Sequence, residues 1–277
     1  MKNNIKKLTP IAVAALLSLG MGAVHAGETI ELGDGVKFDW RLNMSYGLGV
    51  RLENPSPVLN TDGNNNFKKG SLTANRLGAV WESKLSKGDS GFVLNASTFY
   101  DDVYHGSNDN RSRFISTPGP VNEFNSAAKR YGGGYSRLLD TYAYTSFNLG
   151  ESRATVRLGK QVVNWGESNL FANIASAQGP SDAAKAASPG AEIKEILLPE
   201  DQISASLEVN SKLSLLAHYQ FGFHETLLPA PGMYTSTSNA LGPGASCLGV
   251  YMGANCAGLK RGNDIRPSST GQWGVGG

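Results

Sequence analysis

The sequence predicts an all-β protein: a transmembrane, antiparallel, up-and-down β-barrel, of which the chain forms an incomplete N-terminal part of about 7–8 strands. Three observations carry that expectation. Long segments alternate apolar and polar residues strictly, the connections between them alternate short and long, and the composition is poor in charge (17%) without being rich in hydrophobic residues (40%). The ordinary aromatic content (9%) and the small net charge argue against disorder. Outside the N-terminus no apolar run approaches the length of a membrane-spanning helix.

The first element is a leader. Lys2, Lys6 and Lys7 precede the apolar run of residues 11–19, and Val24 and Ala26 occupy the −3 and −1 positions of a cleavage site. This is the pattern of a secretory signal peptide over residues 1–26, cut after Ala26, with the partial barrel domain over residues 27–277. The chain carries 25 Lys+Arg and 23 Asp+Glu; taking away the three leader lysines leaves 22 against 23, a net charge of −1. The slight basicity of the whole chain therefore belongs to the leader, and a nucleic-acid partner loses its electrostatic support.

The second element is the strand over residues 38–50. Phe38, Trp40, Leu42, Met44, Tyr46, Leu48 and Val50 alternate with Asp39, Arg41, Asn43, Ser45, Gly47 and Gly49. Alternation with period two places the two sets on opposite faces of a strand. At roughly 3.3 Å per residue the segment reaches roughly 40 Å, enough to cross a bilayer at a tilt near 45°. The same pattern recurs in six more segments. Leu77, Ala79, Trp81 and Leu85 oppose Arg76, Gly78, Glu82 and Lys84, with Val80 out of place; Phe92, Leu94, Ala96, Thr98 and Tyr100 oppose Asn95, Ser97 and Asp101. Leu139, Thr141, Ala143, Thr145, Phe147 and Leu149 oppose Asp140, Tyr142, Tyr144, Ser146 and Asn148. Ala154, Val156, Leu158 and Val162 come next, then Ile203, Ala205, Leu207 and Val209, and finally Leu213, Leu215, Ala217, Tyr219, Phe221 and Phe223.

The connections at 86–90, 150–153 and 210–211 are short, whereas those at 51–71, 102–136, 166–201 and 224–270 are long. Short turns at one end and long loops at the other are the habit of outer-membrane barrels. A closed barrel suits lipid because it pairs every backbone N–H and C=O internally. Residues 272–277 read as the opening of an eighth strand. Seven strands would leave two open edges, so the chain reads as part of a larger barrel.

The run Arg157-Leu158-Gly159-Lys160-Gln161-Val162-Val163-Asn164-Trp165-Gly166-Glu167-Ser168 resembles a signature of the Gram-negative family known as domain of unknown function 1302. So do Ile196-Leu197-Leu198-Pro199-Glu200-Asp201-Gln202 and Leu227-Leu228-Pro229-Ala230-Pro231-Gly232. The resemblance covers essentially all of residues 27–277. It implies a porin-like outer-membrane protein around twice this length, from a family with no settled substrate whose genes accompany those for handling lipids and hydrophobic compounds.

Candidate site residues are the charged side chains expected on the inward face: Lys37, Asp39 and Arg41 on the first strand, Arg76, Glu82 and Lys84 on the second, then Asp140 and Arg157. Rings of such charges set solute selectivity in pores; equally, charges of mixed sign can simply pair across the wall. The connection 166–201 offers two short helical turns, over 181–187 and 191–198, and could fold into the lumen or stay at the surface. Cys247 and Cys256 are expected to form a disulfide within one long loop, since export leads to an oxidising compartment. Asp62-Gly63-Asn64-Asn65-Asn66 opens like a calcium loop but has Phe67 and Thr73 where Gly and Glu are required. Gly132-Gly133-Gly134 reads as a flexible loop tip.

No catalytic, cofactor or metal residues are expected. His105, His218 and His224 stand in no recognisable nucleophile motif. The expected function is passage or binding of a small, hydrophobic-leaning solute at the cell outer membrane; the alternative is a structural or adhesive barrel acting through its long loops. Expected partners are outer-membrane lipids, the barrel assembly machinery and the small-molecule solute. Whether the chain forms a homo-oligomer stays open.

Overall fold

A computed structural model describes residues 20–112, 115–165, 179–252 and 255–277. Among them, ten strands join in one antiparallel sheet of sequential order. The seven strands read from the alternation are all present. They are β3 (Val36–Val50), β4 (Leu72–Lys87), β5 (Ser90–Asp101), β6 (Gly134–Leu149), β7 (Ser152–Gln161), β8 (Glu200–Asn210) and β9 (Leu213–Gln220), each paired with the next. The short β2 (Ile30–Gly33) folds back on the start of β3. The expected eighth strand forms over Trp273–Gly276 (β12) and pairs with β9, so that Val275 lies opposite Ala217.

At the other edge, β1 (Gly20–Ala26) pairs antiparallel with Arg41 to Gly47 of β3. This strand is the tail of the expected signal peptide; residues 1–19 lie outside the described residues. The ends of the sheet, β1 and β12, are not paired with one another.

Local sequence sets the tight turns. Lys87 faces Ser90 and Leu149 faces Ser152, which leaves two-residue turns that begin with Gly88 and Gly150, at φ 56° and 65°. A positive φ at the first turn residue matches the twist of the flanking strands, and glycine adopts it without strain. In the β8–β9 turn, Asn210 accepts a hydrogen bond from the Lys212 amide (2.8 Å), the local side-chain bond that makes Asn a turn residue.

The two faces of the sheet are inverted relative to a water-soluble protein. The apolar set is exposed: Met44, Tyr46, Leu77, Leu85, Phe92, Leu94, Phe147, Leu158, Ile203, Leu215 and Tyr219 all carry large exposed side chains. The polar set is buried: Asn43, Arg76, Asn95, Ser97, Asp101, Gln161, Gln202 and His218. Val80, the residue out of place in the β4 pattern, is 2% exposed on this polar side, as an apolar member of an otherwise polar face.

One strand departs from its expected pattern. Leu139 was expected on the apolar face with Thr141, yet it is 2% exposed and Leu138 is exposed instead. Leu94 pairs with Thr141 and Ala96 with Leu138, so Leu139 and Asp140 together face the single residue Asn95. This is a β-bulge, in which one extra residue is absorbed and the alternation restarts on the other parity.

The largest buried apolar cluster lies among the long connections, outside the sheet. Phe67, Tyr104, Phe124, Ala128, Ala184, Ala230 and Met233 pack together from four separate connections. Arg51 fastens the first of these by donating to the carbonyls of Asn64 (2.6 Å) and Phe67 (2.8 Å). The glycine run is no flexible tip: helix α2 (Ser126–Gly133) ends there, Gly134 opens β6 at φ 152°, and a Cβ on Gly132 would lie 3.0 Å from the Tyr104 ring. Asp62, in the helical turn α1 (Asp62–Asn65), is buried and accepts from the Ser116 amide (3.0 Å), so the sequence with calcium-loop character serves a loop contact. The hairpin of β10 (Cys247–Met252) and β11 (Asn255–Lys260) carries the expected disulfide, Cys247–Cys256, with a Cα–Cα distance of 5.7 Å.

Candidate functional site

The site is built where the described part of the connection 166–201 crosses the polar face of β3–β6. Two short turns organise this segment, α3 (Ala183–Ala186) and α4 (Ile193–Ile196), in the positions read from the sequence. Asp182 caps the first turn by accepting from the Lys185 amide (3.1 Å). In the second, the Glu192 amide donates to Glu195 Oε2 (3.1 Å). Side-chain caps of this kind satisfy the amides that a helical turn leaves open.

Between the turns the chain lies directly on the sheet. Gly190 O accepts from Ser45 Oγ (2.7 Å) and from Arg76 Nη1 (2.9 Å). Contact this close requires Gly47, where a Cβ would sit 2.3 Å from the Pro189 carbonyl oxygen. Asn43 Nδ2 donates to Glu192 Oε2 (3.3 Å).

The centre is a buried cluster of charge. Glu195 Oε1 accepts from Arg76 Nη2 (2.8 Å) and Lys185 Nζ (2.9 Å), and all three side chains are no more than 3% exposed. Phe99 lies beneath both cations, with Arg76 Cζ 4.8 Å and Lys185 Nζ 4.7 Å from its ring centre; Lys185 is equally close to Tyr135. Burial alone would raise the Glu195 pKa, but Lys185 and Arg76 together outweigh it and hold the carboxyl below its ordinary value. Beside this cluster Asp182, fully buried, accepts from Tyr135 Oη (2.5 Å) and Arg137 Nη1 (3.2 Å). A buried charge left without a partner is costly, so these pairs fix the segment to the sheet.

The structure brings three of the expected site residues into this arrangement. Arg76 is at its heart. Arg41 and Glu82 are cross-strand neighbours in direct ionic contact, and Lys194 from the segment joins the same carboxylate. Asp39 stands apart, accepting from Thr29 Oγ1 (2.6 Å) and facing Lys84 in register; Lys37 pairs with Glu31 at the exposed end of the strand. Asp140, displaced by the bulge, accepts from the Val162 amide (3.0 Å). Arg157 is exposed, over the Tyr142 ring at 5.6 Å. His218 meets Gln202 Oε1 (3.1 Å) and His224 meets Glu200 Oε2 (2.8 Å). Sequence reasoning missed Tyr135, Arg137, Asp182, Lys185 and Glu195. The spacing of Asp182 to Lys185 and of Glu192 to Glu195, three residues each, was the available signal: it marks capped turns.

Above the cluster is a cavity of about 350 Å³, with Phe99, Tyr104, Tyr131, Met233 and Tyr234 among its walls and Arg76 and Lys185 at its floor. Among the described residues no group of His, Cys, Asp and Glu is arranged to hold a metal, and no helix is long and apolar enough to cross a membrane.

Comparison with known proteins agrees with the resemblance noted in the sequence. No curated protein and no solved structure matched the chain. A family model described as "Protein of unknown function (DUF1302)" matches residues 7–277, nearly the whole length. The chain belongs to that family.

Proposed function

We propose that the protein is a porin-like β-barrel of the outer membrane, exported through a signal peptide cut after Ala26, which passes or binds a small solute. The observation that carries this reading is the inversion of the sheet: apolar side chains exposed on one face, charges and amides buried on the other. In water so large an apolar surface is a liability that monomeric soluble proteins avoid. Against hydrocarbon it is the stable arrangement, and β3, β4 and β6, of 15, 16 and 16 residues, exceed the 9–11 or so that a spanning strand needs. The polar face then lines a lumen, and residues 179–198 narrow it.

Two measurements test the reading. The full-length protein extracted in detergent should migrate faster unheated than boiled on a denaturing gel, as closed barrels do; a species soluble without detergent that shows no shift overturns it. In planar bilayers, deleting residues 170–195 should raise the single-channel conductance. Unchanged conductance would sink the constriction while leaving the barrel.

A further inference from the structure

A second cavity opens on the polar face of β7–β9 and shares no wall residue with the one above the charge cluster. At about 350 Å³ it falls within the range of small-molecule sites, about 300–1,000 Å³. One side is apolar, made by Val162, Leu216 and the Trp165 ring. The position of Trp165 is set by β12, whose residues on this face are glycines. A Cβ would lie 2.9 Å from the indole at Gly274 and 3.3 Å from it at Gly276, and His218 meets the same side chain edge-on at 5.2 Å. The alternation Trp273-Gly274-Val275-Gly276 thus makes room on the polar face for an indole from the chain leaving β7.

The other side is polar and carries a single charge. Among the described residues Arg157 is the one charged residue lining the cavity, and it is exposed. Ser204 lies opposite it in register, with Ser206 two residues further on. The other arginines on the polar face each contact a carboxylate: Arg41 meets Glu82, Arg76 meets Glu195, Arg137 meets Asp182 and Arg153 meets Asp89. Arg157 joins no ion pair among the described residues. Its guanidinium rests over the Tyr142 ring at 5.6 Å, a contact with the π face that leaves its N–H donors available. A guanidinium held in place, reachable from solvent and free of a counter-charge presents a fork of donors that fits a carboxylate. No carboxylate lines the cavity to repel such a group, and no second cation calls for a dianion.

Resting on the proposed reading of the barrel as a solute-binding protein, we infer that this cavity binds a small monocarboxylate with an apolar body. The carboxylate accepts from Arg157 and Ser206, and the body lies against Trp165 and Leu216.

The test uses the full-length protein refolded in detergent, with hexanoate, hexylamine and acetate as probes in equilibrium dialysis against protein-free micelles. Hexanoate should bind saturably, at least about tenfold more tightly than hexylamine, the worth of a hydrogen bond to a charged group. It should exceed acetate, which lacks the apolar body, by a similar factor. Arg157→Glu breaks no ion pair and should reverse the preference, so that hexylamine binds better than hexanoate. Trp165→Ala should bring hexanoate down to the affinity of acetate. Arg153→Gln removes a cation of the same strand that lies outside the cavity, and should change hexanoate binding less than about twofold. All three variants must retain the wild-type gel shift, which separates lost binding from lost folding. Equal affinity for hexanoate and hexylamine overturns the inference, as does a preference unaltered in folded Arg157→Glu protein or lost equally in Arg153→Gln. Swelling of proteoliposomes in arabinose reads the parent reading separately. Flux of the sugar without hexanoate preference leaves the pore and removes the site; saturable hexanoate binding without flux keeps the site and removes the pore.

Discussion

Strands β3–β6 and strands β7–β9 face the same difficulty, polar side chains buried on one side of a sheet, and meet it with different chemistry. On β3–β6 the buried groups include charges, Arg76 and Asp101, among neutral side chains such as Asn43, Asn95 and Ser97. Arg76 and Arg137 find their carboxylates, Glu195 and Asp182, on a segment that lies 119 and 45 residues away along the chain. On β7–β9 the buried groups are mainly neutral amides, satisfied between neighbouring strands. The Gln161 side chain donates to the Gln202 carbonyl (3.1 Å), the Gln202 side chain donates to the Gln161 carbonyl (2.8 Å), and Ser204 Oγ donates to Gln161 Oε1 (2.9 Å). The first wall depends on a crossing segment to be complete, while the second is complete within its own ladder.

The difference teaches where the molecule can respond. A neutral amide pair is worth about 1 kcal/mol net and is indifferent to salt. A buried ion pair is worth little against an apolar replacement, but breaking it by removing one partner is severe. The charged wall is therefore a conditional attachment, strong when whole and costly when incomplete.

The largest effect that would break this contrast is Glu195→Gln. It leaves Arg76 and Lys185 buried without the carboxylate that both contact, and should cost about 3–5 kcal/mol of local stability. Trypsin should then cut at Lys185 and Lys194 in the native protein; protection equal to wild type would show that the charges do not hold the segment. A smaller loss is expected from Gln202→Leu, which removes the donor to Gln161 and orphans its buried carbonyl. That substitution should cost about 1–3 kcal/mol in urea denaturation, without exposing Lys185 to trypsin. The smallest effect is that of mild acid. The native pKa of Glu195 lies below its ordinary value, so its contribution is complete well above about 4.3 and is lost as the pH falls from there through the lowered native value. Between pH 7 and about 4.3 only a few tenths of a kcal/mol should disappear, with the loss deepening at lower pH. Hydrogen exchange of the amides around Lys185, measured at each pH, reads this loss.

The sheet was legible in the sequence because each of its faces meets one kind of surroundings along its whole length, and alternation is the direct imprint of that. The seven strands followed from it, while the disulfide followed from the expectation of export and the two helical turns from the composition of the crossing segment. Two things stayed hidden for physical reasons. An inward apolar residue such as Val80 or Phe99 breaks the binary pattern, because a polar face covered by a crossing segment is part core, and Phe99 is placed under two cations. The partners of Arg76 could not be read either, since pairing across 119 residues leaves no periodic trace. Only the capped turns around Lys185 and Glu195 hinted that their segment was ordered enough to carry charge.

The bulge at Leu139 and Asp140 acts as a reading-frame correction in three dimensions. Every residue of β6 before it has the opposite parity from what an unbroken strand would give. Drawn straight, the strand would carry Leu138 inward and send Tyr135 and Arg137 out among Leu94 and Phe92 on the apolar face. In the proposed barrel an arginine on that face would cost about 2–4 kcal/mol near mid-membrane. By absorbing the surplus residue, the bulge keeps Arg137 on the polar face, where it meets Asp182. Removing either Leu139 or Asp140 would leave a regular strand with both halves still in frame, so the bulge compensates for an insertion and is not itself needed to create the site.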